Sequence, residues 1–293
     1  MRFGLITNLK RTGALQAIDD FRNWAEVKGH EITVCIEVDE LSGRDFHGEY
    51  RKDVANKVDM LVSMGGDGTL LATARLVGTT EKPVLGINLG SLGFLTQLTP
   101  AQLIPAIEAI IDGKYEIEER MLLKVEIPGG INLENPYALN DVVVNNGTVS
   151  RLVEINLLVN NEEVVTYRAD GLVIATPTGS TAYSLAVGGP IMHPKLEGII
   201  ASPISSFSLS TRPMIFSAKD TLEIKVLSGL DNAALTLDGQ VMLPFKDFNS
   251  VVISRAEVHL KLIVFPENSY YKLLKNKLHW GLSPLANNDR GKG

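Results

Sequence analysis

A single acid among glycines is the residue in this chain best placed to do chemistry: Asp67, in Gly65-Gly66-Asp67-Gly68-Thr69. The motif ends an apolar run that begins at Asp59, and it reopens as a helix-like segment through Ala74. A strand that stops at glycines and feeds a helix start leaves backbone N–H groups free for an anion, with no Cβ to hold a phosphate away. A carboxylate in such a cradle repels phosphate unless it meets a metal ion, a hydroxyl or a proton. Asp67 therefore points to chemistry on a nucleotide rather than to storage of one. The plainer alternative is that Asp67 or Thr69 caps the following helix and the glycines mark a tight turn.

Three further groups are of the types that hold a nucleotide: Asn140-Asp141, Arg168-Ala169-Asp170-Gly171, and the hydroxyl-rich run Thr176 to Ala186. Each has a plain reading as well: a turn before a strand, a hairpin corner, and a helix N-cap with its first turn. Together they match a ligand with a ribose and an adenine, which needs carboxylates for hydroxyls, amides or hydroxyls for the base edge, and a flat ring for stacking. Asp141, Asn140, Thr178 and Tyr183 are of those types.

The absent motifs narrow the chemistry. There is no Gly-x-x-x-x-Gly-Lys-[Ser/Thr] loop, and no His-Arg-Asp or Asp-Phe-Gly set of the protein-kinase kind. No His-Glu-x-x-His occurs, and His30, His47, His193, His259 and His279 are scattered without ligand spacing. No serine stands in a Gly-x-Ser-x-Gly elbow.

The elements that must position these residues fall into two styles. Strands at 2–7, 32–36, 59–63 and 83–88 alternate with helix-like segments at 14–28, closed by Gly29, and 100–113, which implies a parallel sheet covered on both faces. Residues 41–57 read as a polar, broken loop that can include one helical turn. Gly86-Ile87-Asn88-Leu89-Gly90-Ser91-Leu92-Gly93-Phe94 spaces its first glycines too widely for a dinucleotide fingerprint, yet belongs at the carboxyl ends of the strands beside the first glycine motif. From Met121 onward short β-branched runs dominate: 121–127, 137–144, 153–159, 162–168, 171–175, 221–227, 234–243 and 250–265, with Asn160-Asn161 a hairpin turn. Segment 270–280 has helical spacing of apolar and basic residues and is expected to pack on its own protein; 283–293 read as a frayed end.

A chain of 293 residues can bury two cores. Its 45% hydrophobic and 21% charged residues are those of a soluble globular protein, with no bilayer-spanning stretch and no secretion signal at Met1 to Thr7. One cysteine, Cys35, excludes an internal disulfide and a cysteine metal cluster, so the cytoplasm is the expected compartment. A formal charge of −6 argues against a nucleic-acid partner. No membrane partner is expected.

The glycine motif, Leu139-Asn140-Asp141 and the long run from Asp170 to Ser184 resemble the bacterial NAD kinases, in order and over most of the chain. The first motif is shared with diacylglycerol, sphingosine and 6-phosphofructokinases; the long run is far more specific.

The resemblance implies an α/β N-terminal domain over 1–120 with a mostly parallel sheet, a β-rich NAD-binding domain over 121–269, and a terminal segment 270–293 returning to the first. It implies transfer of the γ-phosphoryl of ATP, or of polyphosphate, to the 2′-hydroxyl of the adenosine ribose of NAD, giving NADP. A divalent cation, Mg2+ being the expected ion, would be held through the nucleotide phosphates rather than by protein alone, and the chain would form a homo-oligomer, a dimer or tetramer. By motif position Asp67 would accept the hydroxyl proton with Gly68 beside it, Asn140 and Asp141 would hold NAD, and Thr181, Ala182, Tyr183, Ser184, Leu185 and Ala186 would line its pocket. Arg151, Arg168, Asp170, Thr178 and Gln240 fall at further contact positions. Many members carry Glu where this chain has Asp141, one methylene shorter. A lipid kinase with the same glycine motif, and a non-catalytic dinucleotide sensor, are the alternatives.

Overall fold

The computed structural model describes residues 1–7, 9, 11–35, 51–129, 131–146, 152–266 and 269–280. The expected strand end at Ile36, the first part of the 41–57 loop, Arg151 and the 283–293 tail lie outside the described residues. The first half runs β1 (Arg2–Thr7), α1 (Ala14–Lys28), β2 (Glu31–Cys35), α2 (Arg51–Lys57), β3 (Met60–Gly65), α3 (Asp67–Val77), β4 (Val84–Asn88) and α4 (Leu103–Ile111). Its four strands are parallel in the order β2-β1-β3-β4. Both faces are covered, as buried apolar runs require. Ile18 and Phe21 of α1 and Ile107 of α4 pack with Phe3, Leu5 and Val62 on one face. Val54 of α2 and Leu70, Leu71 and Ala74 of α3 pack with Ile6 and Leu61 on the other. The segment expected to be a loop with one turn thus carries α2, because Val54 and Ala55 close this second face.

The second half is β5 (Glu116–Glu126), β6 (Tyr137–Ala138), β7 (Asp141–Asn146), β8 (Val153–Val159), β9 (Glu162–Ala169), β10 (Gly171–Ala175), α5 (Tyr183–Ala186), β11 (Gly198–Ile204), β12 (Met214–Ser217), β13 (Leu222–Ser228), β14 (Ala233–Leu237), β15 (Val241–Pro244), β16 (Ser250–Val264) and α6 (Tyr270–Leu278). Six of these strands form an antiparallel sheet in the order β12-β11-β10-β7-β14-β15. The others extend the first sheet through β16-β13-β8-β9, with β5 also pairing β16. A core containing Ile155, Leu157, Leu172, Ile174, Leu235 and Phe245 fills the space between the two sheets. Asn160-Asn161 makes the β8–β9 turn, both residues at positive φ.

Further expectations change, among them the run 137–144, which is β6 and β7 rather than one strand. The run 234–243 is two strands, separated by the turn Asp238-Gly239-Gln240. β11 lies buried on both faces, so it lacks the alternation that marks a strand, and β12 is a four-residue edge. β5 begins five residues earlier than expected. Helix α6 buries Leu274 and sets Tyr270 and Tyr271 against the His193 ring, with the Tyr270 hydroxyl donating to the Met192 carbonyl at 3.4 Å.

Candidate active site

The site is built where β3 and β4 end. Gly66 is the extended N-cap of α3 and carries no side-chain cap; Asp67 is the first helical residue, and its carboxylate turns away from its own helix. Oδ1 accepts from the Leu95 and Thr96 amides at 3.0 and 3.1 Å and from the Thr96 hydroxyl at 2.9 Å. Among the described residues Oδ2 accepts only from the Phe94 amide, at 2.8 Å. A carboxylate offers about four acceptor positions. The position left over is on Oδ2, where the carboxylate can still receive a proton or a hydroxyl.

The second glycine segment is therefore what Asp67 braces. Asn88, at the end of β4, donates from Nδ2 to the Thr96 hydroxyl at 2.7 Å and accepts from the Gly90 amide at 2.7 Å. The Leu89 amide donates to the Gly65 carbonyl at 2.7 Å, which seats this loop beside the first motif as its place in the chain suggested. Since Thr96 Oγ1 receives a proton from Asn88, its own is directed at Asp67. Gly93 lies flush against the carboxylate.

The other side of the site comes from the antiparallel sheet. Asp141 opens β7 opposite Ala175, so the strand ends place Asn140-Asp141 beside the run that starts at Thr176. The Thr176 hydroxyl donates to the Leu139 carbonyl at 2.6 Å, and the Thr176 amide to the Asn140 carbonyl at 2.9 Å. Gly179 must be glycine: a Cβ there would lie 2.0 Å from the Asn140 oxygen. From Gly179 the chain makes a 3-10 turn into α5, with Thr178 and Ser184 buried, Thr181, Ala182 and Leu185 half-buried, and Tyr183 and Ala186 exposed.

Burial raises the Asp141 pKa to about 7, with the nearby Asp238 charge adding to the rise and a hydrogen bond from the Tyr183 amide opposing it. Near neutral pH this carboxyl thus passes between donor and acceptor. Asp238 is also pushed up by burial, against the pull of its amide hydrogen bonds and of Arg75. Its oxygens accept from the amides of Leu139 at 3.0 Å, Asn140 at 2.7 Å and Asp141 at 3.1 Å. Two residues on, Gln240 Nε2 donates to the Gly68 carbonyl at 2.7 Å, and its Oε1 accepts from Arg75 on α3.

Glycine motif, Asn140-Asp141, the Thr178 to Ala186 run and Gln240 are thus brought together. Arg168 and Asp170 are not. They lie beyond the opposite end of β10 from Thr176, about 20 Å away along an extended chain. Arg168 is exposed, 3.4 Å from Glu154 and over the Phe207 ring at 5.8 Å. Asp238 was singled out nowhere in the sequence reading, and Asn88 and Gly93 entered it only as part of the second glycine segment, without a role of their own. The Asp-Gly pair at 238–239 is a turn signal that could have revealed the first.

Among the described residues no three metal-binding side chains cluster. Asp238 is committed to three amides, so the side chains present do not form a cage for a divalent ion.

Residues 3–115 match the ATP-NAD kinase N-terminal domain, and residues 139–265 the ATP-NAD kinase C-terminal domain. The chain belongs to the ATP-NAD kinase family. The NAD kinase of Geotalea daltonii is 43% identical over 232 residues, 79% of this chain and 82% of that one. That of Geobacter sulfurreducens is 39% identical over 262 residues, covering 88% and 91%. A crystal structure of yeast NADH kinase complexed with NADH superposes with a TM-score of 0.86 at 25% identity, covering 97% of this chain and 89% of that one. An Archaeoglobus fulgidus NAD kinase in complex with ATP shares the fold, with a TM-score of 0.75 over 95% and 99% of the two chains. The chain is accordingly an NAD kinase enzyme, with the α/β half and antiparallel half of that fold, and the lipid-kinase and sensor alternatives fall away.

Proposed function

We propose that Asp67 is the proton acceptor for the 2′-hydroxyl of the adenosine ribose of NAD, and that ATP is the phosphoryl donor. In this step the O2′–Pγ bond forms and the bond from Pγ to the bridging oxygen of ADP breaks. The hydroxyl proton passes to Asp67 Oδ2 and from there to solvent, leaving NADP and ADP. The observation that carries the assignment is the one uncommitted acceptor position on a carboxylate otherwise held rigid by the 94–96 loop. Phosphoryl transfer asks the protein chiefly to position groups and neutralise charge, and an acceptor locked in place serves that need.

Asn140, Asp141 and the Thr178 to Ala186 segment are suited to the ribose and base of NAD, since Thr176 ties the two stretches together through the Leu139 and Asn140 carbonyls. ATP as donor is supported by the family's description and by the ATP held in the archaeal relative. A divalent cation, most simply Mg2+, would enter with the phosphates, neutralising charge on the transferring group. Polyphosphate is the alternative donor.

We place the boundary between the two units near residue 120, consistent with the separate matches at 3–115 and 139–265. The resemblance returns 270–293 to the first unit, whereas the ring and hydrogen-bond contacts of α6 given above are with Met192 and His193 of the second. A cytoplasmic location agrees with a single, buried cysteine, Cys35. A homo-oligomer is supported by the apolar side chains around the β12 edge, where Phe207 is 70% and Leu209 93% exposed. No described helix is long and apolar enough to cross a membrane.

The test is a turnover assay with NAD, Mg-ATP and NADP detection, run beside the Asp67→Asn variant. NADP formation by the wild type and its loss in a folded variant that still binds NAD supports the assignment; equal turnover of the two refutes the role of Asp67.

A further inference from the structure

One turn touches both sides of the site. Asp238-Gly239-Gln240 joins β14 to β15, with φ of +52° at Asp238 and +64° at Gly239, and the Gln240 amide closes it on the Leu237 carbonyl at 3.0 Å. This backbone suits a tight hairpin turn, and it directs the two polar side chains to different places. Asp238 reaches Leu139, Asn140 and Asp141, and its own amide donates to the Asp141 carbonyl at 2.9 Å. Gln240 reaches Gly68 and Arg75, the residue after Asp67 and a residue two turns along the same helix. The two segments its side chains reach lie in different halves of the chain: α3, which follows β3 of the first sheet, and Asn140-Asp141, which opens β7 of the antiparallel sheet.

We infer that Asp238 and Gln240 are positioning residues: the turn is a crossbar that sets the separation between Asp67 and the Asn140-Asp141 segment. The inference rests on the proposed role of Asp67 and adds a division of labour within the turn. Burying a carboxyl is costly, and three amides aimed at its two oxygens offset part of that cost. A serine or asparagine offers one acceptor oxygen in place of two and would satisfy fewer of those amides, so the site gains its fixed geometry from the paired oxygens of Asp238. Gln240 has its carboxamide engaged at both ends. Each end keeps a second N–H or lone pair, so a substrate contact would add to the crossbar rather than replace it.

The two ends predict opposite kinetic signatures. Asp238→Asn loosens the acceptor side, so KM for NAD is expected to rise about tenfold while kcat and KM for ATP stay within about twofold. Gln240→Ala releases α3 from the turn, so kcat is expected to fall about tenfold with KM for NAD within about twofold, because a small misplacement of the reacting groups acts on the chemical step. A rise in KM for NAD alone in Gln240→Ala would make Gln240 a substrate contact and overturn the crossbar. So would unchanged kinetics in either folded variant, or equal changes for both substrates in Asp238→Asn. Amide hydrogen exchange on the wild-type enzyme needs no variant to fold and no turnover. Slow exchange at Leu139, Asn140 and Asp141 without NAD supports the bracing, and exchange at loop rates overturns it. If the wild type made no NADP, the reading of the site would fail, and this exchange result would still decide the bracing.

Discussion

A Cβ placed on Gly93 would lie 1.9 Å from Oδ1 of Asp67 and 2.4 Å from its Cγ. The carboxylate is pressed against main chain, and any side chain at 93 must push it from the position in which it holds Phe94, Leu95 and Thr96. For Gly93→Ala the expectation is a folded protein with turnover reduced about a hundredfold, from displacement of the acceptor by a fraction of an ångström to an ångström. Steady-state assay with circular dichroism as the fold control checks it, and near-normal turnover would show that the carboxylate can move without consequence.

Asp67→Asn should do two things at once. Turnover falls at least about a hundredfold through loss of the proton acceptor. The new NH2 group must also face donors from the 94–96 segment, so the melting temperature falls by about 2 to 6 °C. A variant equally stable but inactive would mean that the bracing bonds contribute little; one destabilised but active would remove the catalytic role.

The Asp141 carboxyl gives a stability signature with a definite sign. Its folded pKa is about 7 against an ordinary 3.8, so across that interval the native state holds a proton that the unfolded chain has released. Stability contributed by this group is complete below pH 4 and is lost as pH rises toward 7. Asp238, shifted the same way, adds to the slope. Thermal melts from pH 4 to pH 8 should therefore show a steeper decline for the wild type than for Asp141→Asn, where one titrating group is gone. Parallel curves would mean that Asp141 does not hold its proton in the fold.

Because the described residues offer no cluster of metal-binding side chains, removal of divalent ions should separate activity from stability. EDTA is expected to abolish NADP formation and to leave the melting temperature of the nucleotide-free protein within about 1 °C, since an ion bound only with the nucleotide does not stabilise the free fold. A large drop in melting temperature would reveal a structural ion.

What could be read from the chain in advance was local in character. The glycine motif announced a strand ending at Gly65 and a helix opening at Asp67, and the hydroxyl-rich run announced a turn into a short helix; both follow from residue type and spacing. The partners of Asp67 could not be read, because they are main-chain amides some thirty residues away, and backbone groups leave no trace in side-chain identity. Asp238 was hidden for a different reason. Its apolar flanks, Ala233–Leu237 and Val241–Pro244, merge into one apparent strand unless the Asp-Gly pair is given precedence. Met214–Ser217 carries too few residues to display a period.

The route of β16 bears on any attempt to divide this protein. Its Leu262 pairs with Val84 of β4, and the only other described cover on that edge is the Ile87 to Leu98 bridge. A fragment ending near residue 115 would have its helices and its parallel strands but would leave Val84–Asn88, wholly apolar except for its last residue, open along part of one side. Such a margin recruits whatever extended chain is nearby. The N-terminal half is therefore a folding unit only on loan from β16, and expressed alone it should self-associate or precipitate.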